Sequence, residues 1–367
     1  MKHLAFRLLL PLLLAAAAAT FAGNRSGRSL FRTSACFDLL ASIQHCDKVL
    51  QHTEYFGRLA DDSLFTACAD EINERLRAST LCNFYHRFGG DKDNLHACVR
   101  FFESLPPADT AHAAWTQQIV ELRPQLHYVL TALCENGFED YWKTTVRPRL
   151  EEKIDNYPIA AETLEQIHRT INRLAGPQAL SEELSKIYVL DIDNAFSLAD
   201  ESFCCTYRII DREMERKLRL NFLNIYIHEN LHRLPLSEES IARLDELEKQ
   251  DGFYRTQEAV ARSHREGRNE AFIVAAEVYL SHALGLRDAR NVYDEFREYV
   301  GGSLVLAPIV YVHLDSKASD QSFDDFITGL FVSGKIAAGR VREQYEQAMA
   351  ELRRSATQPR QETAPCE

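Results

Sequence analysis

The ten residues Ile225–Leu234, IYIHENLHRL, set the reading of this chain. Asp211 and Arg212 lead into a helical pattern in which Leu218, Asn221, Ile225, His228 and His232 share one face. Leu220, Leu223, Ile227, Leu231 and Leu234 form the apolar flanks that would bury it. Histidines four residues apart lie one above the other on a helix, so both imidazoles can reach one cation. Glu229 then stands beside that cation, where a carboxylate can take a proton from water. A buried imidazole needs a partner, and one shared metal ion satisfies two rings at once. The competing reading is two core histidines bonded to neighbouring carbonyls, with Glu229 exposed.

A catalytic zinc usually takes three protein ligands and keeps one place for water. The best third donor is Glu270, in RNEAFIVAAEVYLSHALG, a segment that reads as a helix from Asn269 to Leu284 stopped by Gly285. Glu277 follows two turns later on the same face. It is either the acceptor that orients a ligand histidine or the third ligand itself, with Glu270 outside. Glu266 and His264 precede Gly267 and read as turn residues. Apart from any metal, Glu270 is also what a helix dipole favours in a first turn.

These two segments together, HENLH and NEAF, resemble the gluzincins, zinc peptidases in which H-E-x-x-H is followed by an Asn-Glu pair on the next active-site helix. The stretch Asn269-Glu270-Ala271-Phe272 with Glu277 is similar to the N-E-G-F…E pattern of their aminopeptidase branch, and to the N-E-A start of thermolysin-like enzymes. The resemblance covers residues 220–234 and 268–285 and nothing in the N-terminal half. It implies a zincin-like catalytic core in which His228, His232 and Glu270 hold Zn2+ and Glu229 is the general base. The chain departs from the pattern in three ways. The interval between His232 and Glu270 is long, holding the extra helix SEESIARLDELEKQ and the Asp251-Gly252 turn. Arg233 is charged where such motifs keep an uncharged residue, and Val274 stands where thermolysin-like enzymes place an aspartate. A donor for the tetrahedral oxyanion is also expected; Tyr311, His313 and Tyr254 are the candidates, each with an ordinary core or surface role as its alternative.

Around this centre the chain reads mainly α, an α+β many-helix body with a small β-sheet next to the H-E-x-x-H helix. Helices are expected near 35–51, 62–78, 91–104 and 110–135, with a break at Leu105–Asp109. Further helices follow in YWKTTVRPRLEEKI and in AAETLEQIHRTINRLAG, the latter stopped by Gly176 and Pro177. KIYVLDIDNAFSL and FCCTYRIID are the strand candidates, and residues Thr206–Ile210 could offer an edge to an extended peptide. SLVLAPIVYVHL at 303–314 reads equally as strand or buried helix. The expected divisions are a signal peptide at 1–22, a helical cysteine-containing region at 23–135, a zincin-like metallopeptidase region at 136–356 and a disordered tail at 357–367.

Lys2, His3 and Arg7 before the apolar run Leu8–Ala22 give the pattern of an export signal. The first cysteine, Cys36, lies well beyond it, which argues against a lipoprotein. An exported chain, periplasmic or extracellular, without a membrane anchor after cleavage, is the expectation. Its nine cysteines then imply disulfides, with Cys36, Cys46, Cys68, Cys82, Cys98 and Cys134 as the early set. Cys204 and Cys205, adjacent on a strand, should point to opposite faces, one buried and one outward. A net charge of −12, dispersed along the chain, argues against nucleic acid and anionic membrane as partners. The leading reading is an exported zinc peptidase acting on peptides or proteins. The alternative is a non-catalytic helical binding or scaffold protein that retains a zinc site.

Overall fold

The structure is a computed structural model that describes residues 27–105, 114–157, 161–181, 183–192, 195–198, 202–210, 222–264 and 266–357. The expected signal peptide, the lead-in at 211–221, most of the Leu105–Asp109 break, and the tail beyond Thr357 with Cys366 lie outside the described residues. The described chain is mainly helical with one small sheet. It forms two compact units, cut at residues 160, 182 and 222, where the sequence reading places one boundary at 135.

One unit takes Ser26–Ala160 and Glu183–Phe222. Its helices are α1 (Ala35–Gln44), α2 (Cys46–Val49), α3 (Thr53–Ala60), α4 (Ser63–Arg75), α5 (Ala78–Phe88), α6 (Leu95–Glu103), α7 (Ala114–Glu121), α8 (Arg123–Glu135), α9 (Phe138–Tyr141) and α10 (Arg147–Asp155). Short polar residues start several of them: Ser34 accepts from Phe37 N, Asp62 from Leu64 N and Phe65 N, and Asn94 from Ala97 N. Between α9 and α10 the helix widens to a π turn over Trp142–Val146, where Pro148 lacks the N–H that the α-register needs. Phe37, Phe56, Phe65, Tyr85, Phe102 and Phe138 fill the core.

The sheet belongs to this unit. Strands β1 (Phe31–Arg32), β2 (Lys186–Leu190), β3 (Phe196–Ser197) and β4 (Ser202–Thr206) run in the order β1-β2-β4-β3. β2 pairs with β1 and β4 in parallel, and β3 closes the far edge antiparallel to β4. Two expectations fail here. β4 is flanked on both edges and every one of its residues is buried, so Cys204 and Cys205 are both inside rather than one in and one out. Tyr207–Ile210 turns away as a 3-10 helix, so that stretch does not offer the extended edge expected for a peptide. The eight described cysteines are all thiols, so the disulfides expected among Cys36, Cys46, Cys68, Cys82, Cys98 and Cys134 are not formed. Cys36, Cys82 and Cys98 pack in the interior as small apolar side chains. Burial pushes the Cys46 and Cys134 thiols up to about 12.

The other unit takes Ala161–Glu182 and the chain from Leu223 onward. It contains α11 (Ala161–Ala175), α12 (Phe222–Leu231), α13 (Glu238–Gln250), α14 (Gly252–Ser263), α15 (Glu270–Ala283), α16 (Ala289–Glu298), α17 (Leu306–His313), α18 (Phe323–Val332) and α19 (Val341–Thr357). Gly176 ends α11 at φ +65, with Gln321 O where a Cβ would sit, so glycine is required there. The ambiguous SLVLAPIVYVHL is a helix. Residues 303–310 are all buried, which explains why its apolar run carries no face. No helix among the described residues is long and apolar enough to cross a membrane.

Candidate metal centre

The H-E-x-x-H segment is helical, as its spacing requires. α12 ends at Leu231, and His232 N still bonds His228 O at 3.2 Å, so the two histidines keep helical register. Tyr226, Ile227 and Leu231 are fully buried and seat the helix. The two Nε2 atoms stand 3.1 Å apart, with the rings edge to face. Arg233, the charged residue at an uncharged motif position, donates to Asn230 Oδ1 at 2.8 Å within its own helix.

Glu270 is the first residue of α15 and reaches the same point. Its Oε1 lies 3.4 Å from His228 Nε2 and its Oε2 lies 3.7 Å from His232 Nε2. One donor atom from each of His228, His232 and Glu270 falls within 4.8 Å of the others. The start of α15 is anchored from behind. Arg268 donates to Glu248 at 2.5 Å, Asp245 at 2.6 Å and Glu258 at 3.1 Å, tying the approach to α13 and α14. Asn269 supplies the backbone carbonyl that begins the helix, bonding Phe272 N and Ile273 N. Its side chain makes no cap bond.

Burial governs the charge states. It lowers His228 to about 4, helped by the Arg287 cation, and His232 to about 3, helped by His228. It raises Glu270 to about 8, with Glu266 and Glu277 adding to the rise and a hydrogen bond from Tyr299 opposing it. The close His–Glu contacts are therefore not ion pairs, because both rings are neutral near pH 7. Three donors converging in a largely buried site is an arrangement that could hold a cation. Two neutral imidazoles and one carboxylate match the donor set of a three-ligand zinc site. Glu229 is buried at 5% exposure on the same helix, next to His228.

Glu277 is not one of the converging donors. Arg287 Nη2 donates to it at 2.8 Å and Ser281 Oγ at 3.3 Å, while Arg287 Nη1 donates to Glu295 at 2.6 Å. Its partner is thus an arginine, where the sequence reading allowed a ligand histidine. Two of the three oxyanion candidates have partners of their own. Tyr311 OH is 2.7 Å from His282 Nδ1 and packs against Tyr279 and Phe296. His313 ends α17, its pKa lowered by burial and by Lys335. Tyr254 is buried and hydrogen-bonded to Glu258. His264 caps α14, and Glu266 bonds Ala261 O through its backbone.

Two neighbours of the site escaped sequence reasoning. Arg287 follows the helix stop at Gly285, and Tyr299 precedes Val300-Gly301-Gly302, a glycine pair that marks a sharp reversal after α16. Comparison of the chain with protein-family models, with curated proteins and with solved structures found no match.

Proposed function

We propose that this chain is an exported zinc-dependent peptidase of gluzincin type. The observation that carries the reading is the convergence of His228, His232 and Glu270 within 4.8 Å around a helix that also holds Glu229. His228, His232 and Glu270 would hold the ion. When bound, zinc supplies a Lewis acid that polarises the scissile carbonyl and acidifies water toward a pKa of ~7.

The chain's own residues do the rest. Both imidazoles are neutral, so they offer lone pairs without first losing protons. The Glu270 carboxyl would be the third ligand and, ionised, would contribute the balancing negative charge. Glu229 takes the proton of the attacking water and delivers it to the leaving amine nitrogen. A purely structural zinc site has no use for such a base between its ligands.

The test is turnover of a mixed peptide library by zinc-reconstituted protein, compared with Glu229→Gln. We expect cleavage by the wild type and none by the variant at equal zinc content. Stoichiometric zinc with no cleavage by either protein would support the scaffold reading instead.

A further inference from the structure

We propose that the pocket between α16 and the last turn of α19 binds a small phosphate monoester. The inference is independent of the metal centre and of the peptidase reading.

The pocket measures about 310 Å³ and is lined by Arg290, Tyr293, Arg297, Arg353, Ala356 and Thr357, a size within the range of small-molecule sites. α16 and α19 pack against each other, so three guanidinium groups from two helices share one concave surface on a chain of net charge −12. Helix polarity accounts for part of this. Arg297 and Arg353 stand near C-terminal ends, where a cation is favoured. Arg290 stands in the first turn of α16, where the helix favours an acid instead.

What draws Arg290 to Arg297 is Asp294, whose side chain is only 6% exposed. Arg290 Nε lies 2.8 Å from its Oδ2 and Arg297 Nη2 lies 3.0 Å from its Oδ1. One buried carboxylate thus gathers two guanidinium groups that leave the helix two turns apart. Both terminal nitrogens of Arg290, and Nε and Nη1 of Arg297, remain to donate to a ligand. Arg297 Nη2 also meets Glu298, which is exposed and can give way to an incoming anion. Arg353 has no acid three or four residues away on α19 and no carboxylate partner among the described residues. Three cations against two acids leave the pocket positive before any ligand arrives.

A phosphate monoester suits this donor set. It carries three terminal oxygens and close to two negative charges, which planar guanidinium forks pair from several sides. A carboxylate offers two oxygens in one plane and a single charge. The space beyond the phosphate is walled by Tyr293, whose ring faces the Arg297 guanidinium at 5.5 Å. An ester with a flat apolar group therefore fills the pocket better than the free anion.

The experiment is isothermal titration calorimetry of the full chain in phosphate-free buffer at physiological ionic strength, with phenyl phosphate, inorganic phosphate and benzoate as probes. Wild type should bind phenyl phosphate at one site, inorganic phosphate more weakly, and benzoate more weakly still. Arg353→Gln should weaken phenyl phosphate about tenfold or more. Glu298→Gln, which removes the competing carboxylate, should tighten it. Both side chains are exposed, so circular dichroism should be unchanged in each variant. His232→Ala should bind phenyl phosphate as the wild type does; loss of binding there would assign the phosphate to the metal centre and overturn the inference. So would the absence of saturable binding, wild-type affinity in Arg353→Gln, or benzoate bound as tightly as phenyl phosphate. Equal affinity for inorganic phosphate and phenyl phosphate would overturn the part given to Tyr293.

Discussion

Replacing Arg287 with methionine keeps the length of the side chain and strips the cation from between two buried carboxylates. Arg287, Glu277 and Glu295 have side chains only 2%, 5% and 9% exposed, with contacts of 2.8 and 2.6 Å. Each contact is worth about 6 kcal/mol at an effective dielectric of 20. Most of that offsets the several kcal/mol it costs to take each ion out of water. The variant keeps the desolvation cost of both carboxylates and loses the attraction, which amounts to about 3–5 kcal/mol. In a unit of this size that lowers Tm by about 10 °C. Urea unfolding at pH 7, followed by circular dichroism, reads the loss directly. Burial already pushes Glu277 above its ordinary range with Arg287 present. Without the cation the carboxylates protonate more readily, so the deficit should shrink as pH falls toward 5. Adding Glu277→Gln to Arg287→Met should recover part of the stability, because the two groups share one network. A loss under about 1 kcal/mol, or strict additivity in the double variant, would refute the claim that this triad is a tightly coupled unit.

Two further outcomes follow from other parts of the molecule. Asp38 is buried beneath Trp142, whose indole donates to it at 2.8 Å, and burial raises its carboxyl from its ordinary value near 3.8 to about 7. The folded state therefore holds a proton that the unfolded chain releases between pH ~4 and ~7, so stability falls across that window by roughly 4 kcal/mol. Urea midpoints at pH 5 and pH 7, read through tryptophan fluorescence, should show the fall, and Asp38→Asn should flatten it. At the metal centre, zinc at about 100 times its Kd should stabilise the protein by about 2.7 kcal/mol. In thermal melts the gain should vanish with chelator and be absent in His232→Ala.

What the sequence made legible was local. The spacing of His228 and His232 needs only one helix, and KIYVL and FCCT declare themselves strands by apolar, β-branched and aromatic content. β1 escaped because two residues, Phe31 and Arg32, carry no period. Cys204 and Cys205 were misassigned because alternation tells which face a side chain takes but not whether that face is covered. The choice between Glu270 and Glu277 could not be made from spacing, since both lie on one face of α15. In the structure Glu270 converges with His228 and His232, while Arg287 reaches back to occupy Glu277.

Zinc K-edge X-ray absorption on the zinc-loaded protein tests the central claim most directly. The chain also holds eight described thiols, so the ion has a rival set of ligands to choose from. The expected first shell is two imidazoles plus oxygen at about 2.0–2.2 Å, reduced to a single imidazole in His232→Ala. A shell dominated by sulfur at about 2.3 Å, or one unchanged in His232→Ala, would contradict the account.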